Sequence, residues 1–305
     1  MDDLYELFDR QDEPEAPEAP VLSPFDKGEY KERKQAERDE VYGLIKGTTE
    51  KMQASGELFQ TYLDVQARLD RYSVSNAILI TAQKPDALGP LKSYDDWKSE
   101  GIYVNRGENA LSILEPGKEF QRADGSTGVN YNVKKVFDIT QTNSQQRTTP
   151  AVTRDERLLL KALISHTYAP CDMNPSDAIP ANVNAIYKPE DRTIYVRTGL
   201  DGPSIFRALA QELAHAHMDK GQGYLRNENN IVAYYASYIL CKRYGVATDL
   251  YRFDSMPSRY TSMEPKEFRK ELGKIRSVAG EISRDMNRTL EPKNRGPKER
   301  SDDAR

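Results

Sequence analysis

Long apolar runs are missing from this sequence, cysteine is scarce, and no segment repeats. No run approaches the ~20 residues that cross a bilayer, so no membrane-spanning helix and no membrane partner are expected. The opening residues, Met1-Asp2-Asp3-Leu4-Tyr5-Glu6, lack the basic and apolar parts of a secretory signal. The two cysteines, Cys171 and Cys241, belong to no CxxC pair and form no disulfide framework. These absences predict a soluble cytoplasmic protein with reduced thiols.

What is present is charge, unevenly spread. Of 305 residues, 30% are charged and 37% hydrophobic, which predicts long solvated stretches beside a modest core. The formal net charge is −4. Residues 1–40 hold 14 acidic and 6 basic side chains, a net of −8, so the rest of the chain carries −4 − (−8) = +4. A mildly basic body behind an acidic tail is compatible with a nucleic-acid partner without requiring one.

Composition and periodicity divide the chain into four parts. Residues 1–40, with the Pro/Glu/Ala run Glu13–Pro20, are expected to be a disordered acidic tail in which a helix can begin over 30–40. Residues 41–145 read as a first domain. Leu58, Tyr62, Val65 and Leu69 predict an amphipathic helix, Ser93 an N-cap for a short helix carrying Trp97, and the runs 102–104, 111–114 and 133–139 predict strands. Residues 146–290 read as a second domain, entered through the Gln/Thr/Ser-rich linker 141–150. It is expected to hold a helix over 154–166 and a hairpin of 184–187 with 193–197. Helices over 203–219, 228–244 and 265–290 complete it. Residues 291–305 form a frayed tail. The expected fold class is α+β.

The chemistry concentrates on the segment Gln211-Glu212-Leu213-Ala214-His215. Metallopeptidase helices use two histidines four apart as Zn²⁺ ligands and a glutamate after the first as general base. Here Glu212 stands at the base position and His215 at the second ligand position, but Gln211 replaces the first histidine. A neutral amide oxygen is a poor zinc ligand beside imidazole. A glutamate three before a histidine is common on helices, and the order hairpin, loop, helix is what gives the segment weight. His217 lies about 200° around the helix from His215 and should face elsewhere. Asp219 and Glu228 are the other candidate donors.

The stretches Asn184–Tyr187, Thr193–Arg197, Phe206–His215, and Ala233–Tyr238 leading to Cys241–Gly245 resemble the zincin-like metallopeptidase domain of ArdC-type antirestriction proteins from conjugative and mobile elements. Ser75-Asn76, Trp97, Val104, the segment Arg106–Ala110, Ile113, Pro116 and the segment Lys135–Thr142 resemble that family's N-terminal single-stranded-DNA-binding domain. The resemblance implies a small α+β nucleic-acid-binding domain followed by a zincin-like domain. It also implies a third metal ligand, a glutamate, where this chain has Tyr234. Two of three ligand positions therefore depart, Gln211 and Tyr234.

Strand binding needs basic side chains for the backbone and aromatic faces for the bases. The candidates are Arg71, Tyr72, Trp97, Lys98, Tyr103, Arg106, Lys134 and Lys135. The leading expectation is a single-stranded-DNA-binding antirestriction accessory protein whose zincin domain is inactive and binds no cofactor. One alternative is a zinc metallopeptidase with an altered ligand set, Glu212 as base and His215 as ligand. The other is an interaction module that recruits a restriction or conjugation protein.

Overall fold

The computed structural model describes residues 27–122, 124–144, 155–167, 169–173, 179–180, 182–221 and 223–291. Most of the expected acidic tail, residues 145–150 of the expected linker with the domain boundary among them, and all but the first residue of the C-terminal tail lie outside these; Gln141 and Thr142, expected in the linker, are buried. Residues 27–39 form one unit and the chain from Glu40 onward another. The first unit is the opening of helix α1 (Lys27–Ala54), so the expected tail gives way to helix well before residue 40. Its charges pair along the helix, as in Lys34 with Glu37 at 2.9 Å.

The fold from Glu40 onward is α+β. Helices α2 (Gly56–Arg68) and α3 (Val74–Gln83) follow α1. Strand β1 (Leu91–Lys92), helix α4 (Tyr94–Ser99) and the long strands β2 (Leu111–Gln121) and β3 (Thr127–Asp138) come next. The antiparallel sheet has the order β1-β3-β2. Helix α5 (Glu156–Ser165) then leads to strands β4 (Cys171–Asp172), β5 (Ala185–Lys188) and β6 (Thr193–Val196), ordered β4-β6-β5. Helices α6 (Gly202–Met218), α7 (Arg226–Tyr244), α8 (Ser258–Thr261) and α9 (Pro265–Leu290) complete the fold. Among the described residues no helix is long and apolar enough to cross a membrane.

Serine hydroxyls set the helix starts. Ser55, Ser73 and Ser93 cap α2, α3 and α4 by accepting a backbone N–H three residues on, and Ser93 with Asp96 forms a reciprocal capping box. Two amides on α3 cover the open edge of β2. Asn76 exchanges two 2.8 Å hydrogen bonds with the backbone of Leu114, and Gln83 bonds the backbone of Ser112 in the same way. These side chains occupy the pairing groups that a further strand would use.

The core runs without interruption from α2 and α3 to α6, α7 and α9. On α9 the buried residues Phe268, Leu272, Ile275, Ala279, Ile282 and Met286 recur every three or four positions, the stripe of a helix packed along one side. Aromatic rings lock α2 to the C-terminal helices. Phe59 meets Tyr235 edge-on at 4.7 Å, and Tyr260 meets Phe268 at 5.1 Å. Gly56 makes this approach possible, because a Cβ there would lie 1.9 Å from the carbonyl oxygen of Phe253. Gly56→Ala is therefore expected to lower the melting temperature although alanine is the better helix former. Thermal unfolding followed by circular dichroism checks this. An unchanged or higher melting temperature would show that the loop carrying Phe253 yields freely.

Candidate functional site

Helix α6 carries the candidate site and is well anchored. Asp201 caps its start by accepting the Ser204 N–H at 2.7 Å, and Pro203 sits in its first turn, where its missing N–H costs nothing. The hairpin of β5 and β6 lies against it in the expected antiparallel register. Helix α7 packs along its other side and ends at Gly245, whose φ of 73° is the left-handed turn that glycine takes without strain.

Glu212 is 3% exposed and fully committed. Arg226, the first residue of α7, binds it as a fork, Nη1 to Oε2 and Nη2 to Oε1, both at 2.7 Å. The backbone N–H of Tyr187 on β5 donates to Oε2 at 2.7 Å. The carboxylate thus joins β5, α6 and α7. A general base must take a proton from water; here both oxygens are held by fixed donors, and the guanidinium opposes protonation of the carboxylate.

His215, one turn further along, is completely buried. Its Nδ1 pairs with the Tyr224 hydroxyl at 2.5 Å, while its Nε2 is buried and has no hydrogen-bond partner. Burial, reinforced by the positive charge of Arg226, lowers its pKa to about 3, so the ring is neutral at pH 7. Tyr187 packs edge-on against Tyr224 and donates its hydroxyl to Asp219 at 2.8 Å. Burial and that bond push the Tyr187 phenol up to about 12.

Of the other expected donors, Asp219 and Tyr234 have partners elsewhere and Glu228 is exposed near the start of α7, while His217 faces away as its helical position predicts. Asp219 ends α6, accepting the Tyr187 hydroxyl and the Gly221 N–H. His217 turns to α9, with Nδ1 3.3 Å from Glu281. The Tyr234 hydroxyl accepts the Arg252 N–H at 2.8 Å. Gln211 and Tyr234 do share a cleft of about 380 Å³, together with Glu212, Arg226, Arg207 and Tyr251. Among the described residues no three His, Cys, Asp or Glu side chains converge on a point that could hold a metal. A divalent cation beside His215 would also meet the Arg226 guanidinium. The unpartnered Nε2 is what an imidazole ligand would offer, but the remaining donor set does not fit zinc.

The strand-binding candidates divide by exposure. Trp97, a candidate for stacking that read more readily as core, is core: it is 1% exposed, its indole N–H donates to the Phe137 carbonyl at 3.0 Å, and the Lys92 ammonium covers its ring. Tyr72 is half-buried against the core. Lys134 already faces Glu115 at 3.3 Å and Asp96 at 3.9 Å. Lys135 is exposed, with its ammonium on the Ser112 hydroxyl. Arg71, Lys98, Tyr103 and Arg106 are exposed.

No family model and no curated protein matches the chain. Solved structures that resemble it include two of one protein. The metal-free crystal structure of the antirestriction protein ArdC from the R388 plasmid is 17% identical, with a TM-score of 0.47, over 72% of this chain and 85% of that one. The Mn(II)-bound structure of the same protein is 16% identical, with a TM-score of 0.48, over 70% and 85%. At that distance function has to be read from the side chains themselves.

Sequence reasoning missed Arg226, Tyr224 and the Tyr187 backbone N–H. Arg226 is an ordinary arginine after a glycine-containing turn, and nothing local ties it to Glu212.

Two outcomes are expected. Arg226→Met leaves a buried carboxylate uncompensated and should cost about 3–5 kcal/mol, much of it recovered by adding Glu212→Leu. Urea unfolding measures both, and a cost below about 1 kcal/mol for the single change would mean the pair is not structural. The second concerns pH. His215 and His217 are both held below the usual histidine range, mainly by burial, and so are neutral in the folded state. The unfolded chain takes up their protons first, so stability is full above about pH 6.5 and falls as pH drops toward about 3. Each group contributes at most about 1.4 kcal/mol per pH unit. His215→Leu should flatten this slope between about pH 6 and 4, and an unchanged slope would rule the group out.

Proposed function

We propose that this chain is a nucleic-acid-binding accessory protein of the antirestriction kind, which binds single-stranded DNA and uses its peptidase-like helix pair as structure. The observation that carries the non-catalytic part is the Glu212–Arg226 fork. The residue that would activate water is locked to a guanidinium, and a β5 backbone N–H that could align an extended peptide is spent on the same carboxylate. The Gln211 and Tyr234 positions agree with this, since neither supplies an imidazole or a carboxylate.

The strand-binding part rests on the family resemblance of residues 41–145. At the end of α4, Lys98, Tyr103 and Arg106 supply cations and a 53% exposed aromatic ring within one short stretch of surface chain. Mobile-element function and a restriction or conjugation partner belong to the same reading. One observation favours the metallopeptidase alternative, the unpartnered Nε2 of His215, and metal analysis separates the two.

A fluorescent thymidine oligonucleotide should bind at about 50 mM salt and bind at least tenfold more weakly at about 200 mM. Tyr103→Ala with Arg106→Ala should weaken it further, by about 1–3 kcal/mol for a lost stacking contact. Protein purified without chelators should hold far less than one equivalent of zinc. Absence of binding at low salt would remove the proposal, and stoichiometric zinc lost in His215→Ala would replace it with the metalloenzyme.

A further inference from the structure

A second cleft, of about 250 Å³, opens where the turn after α2 meets α7 and α9. Its lining includes four arginines, Arg71, Arg243, Arg276 and Arg284, and one carboxylate, Asp70, a net of 4 − 1 = +3. Neutral groups hold the inner two arginines. Arg276 donates to the backbone carbonyls of Tyr72 at 2.9 Å and Asp70 at 3.2 Å. Arg243 donates to the Ala67 carbonyl at 3.2 Å and the Ser283 hydroxyl at 2.6 Å. Asp70 approaches Arg243 at only 3.5 Å and is itself 51% exposed. Carbonyls and hydroxyls fix a guanidinium without cancelling its charge.

The outer two arginines complete the set. Arg71 and Arg284 are exposed and make no hydrogen bond or ion pair among the described residues. Glu281, on the same helix, is turned to His217 and the Ser277 hydroxyl. Small residues of α9 keep the floor open: a Cβ at Gly280 would meet nothing within 4 Å. Burial holds the Arg243 guanidinium below the usual arginine range although Asp70 opposes the shift, and Arg276 adds to it. Like charges gathered without equal countercharge leave an unfilled demand for an anion.

We propose that this cleft is a phosphate oxyanion site, with Arg243 and Arg276 as its fixed wall and Arg71 and Arg284 as the arms that close on the ligand. Planar guanidiniums match phosphate oxygens with paired hydrogen bonds, which favours phosphate over a monovalent halide. The phosphate can come from a nucleic-acid backbone or from a free phosphate. Only the first source rests on the strand-binding function proposed for the protein.

The test uses the full chain, Arg71→Ala with Arg284→Ala, and Gly280→Glu. The last places a carboxylate in the cleft while replacing a mid-helix glycine with a better helix former, so folding should survive. Inorganic phosphate, against chloride at equal ionic strength, should raise the melting temperature of the wild type by several degrees and leave both variants unmoved. If the source is a strand, both variants should also bind a labelled thymidine oligonucleotide at least tenfold more weakly. The double-arginine variant should then show a salt slope smaller by about 1.4, from ~0.7 per lost contact. A phosphate shift abolished by the variants with DNA binding unchanged, or absent throughout, supports the site with free phosphate as its source. In the latter case the strand-binding function fails while the cleft stands. No phosphate shift in the wild type together with unaltered DNA binding in both variants overturns the proposal.

Discussion

A carboxylate taken out of water must find a countercharge and enough donors for its oxygens, or it becomes one of the most costly features a fold can carry. Glu212 is such a group, and the arrangement around α6 follows from satisfying it. The Arg226 fork fixes the start of α7 against α6. The Tyr187 N–H sets the height of β5 along the helix. With β5 placed, Tyr187 reaches Asp219 at the end of α6 and packs against Tyr224, whose hydroxyl meets His215. One buried charge therefore ties a strand, two helices and the turn between them.

The same constraint explains the state of His215. Its environment combines complete burial with a nearby guanidinium, and both oppose an imidazolium. A neutral imidazole is also the form that binds metals, so neutrality alone decides nothing. What decides is the company it keeps. A zinc site supplies positive charge through the ion and surrounds it with several donors. Here the positive charge is a side chain already bonded to Glu212, and Tyr234 accepts the Arg252 backbone N–H.

Local signals were legible in the sequence and distant pairings were not. The hairpin of β5 and β6, the extent of α9 and the serine cap of α4 follow from turn chemistry, periodicity and capping, each carried by a few adjacent residues. The role of Asn76 as a clamp on β2 depends on a partner strand far along the chain. Trp97 showed the limit in the other direction. An aromatic residue after a capping box reads as a stacking platform or as core, and only packing against β3 separates the two. Arg226 was illegible for the same reason, since its significance lies in the carboxylate it meets.

The two arginine settings in this molecule show how similar side chains give opposite properties. Arg226 is matched: its fork meets both oxygens of one buried carboxylate, so its charge is balanced within the fold. Arg276 is anchored by carbonyls alone, and Arg243 by a carbonyl and a hydroxyl with one half-exposed carboxylate, Asp70, at 3.5 Å, so most of the cleft's positive charge is left standing. An acidic partner closes a site and a neutral one keeps it open. By that criterion α6 and the start of α7 hold a matched pair, and the electrostatic capacity proposed for an anion lies around α9, where no sequence motif marked it.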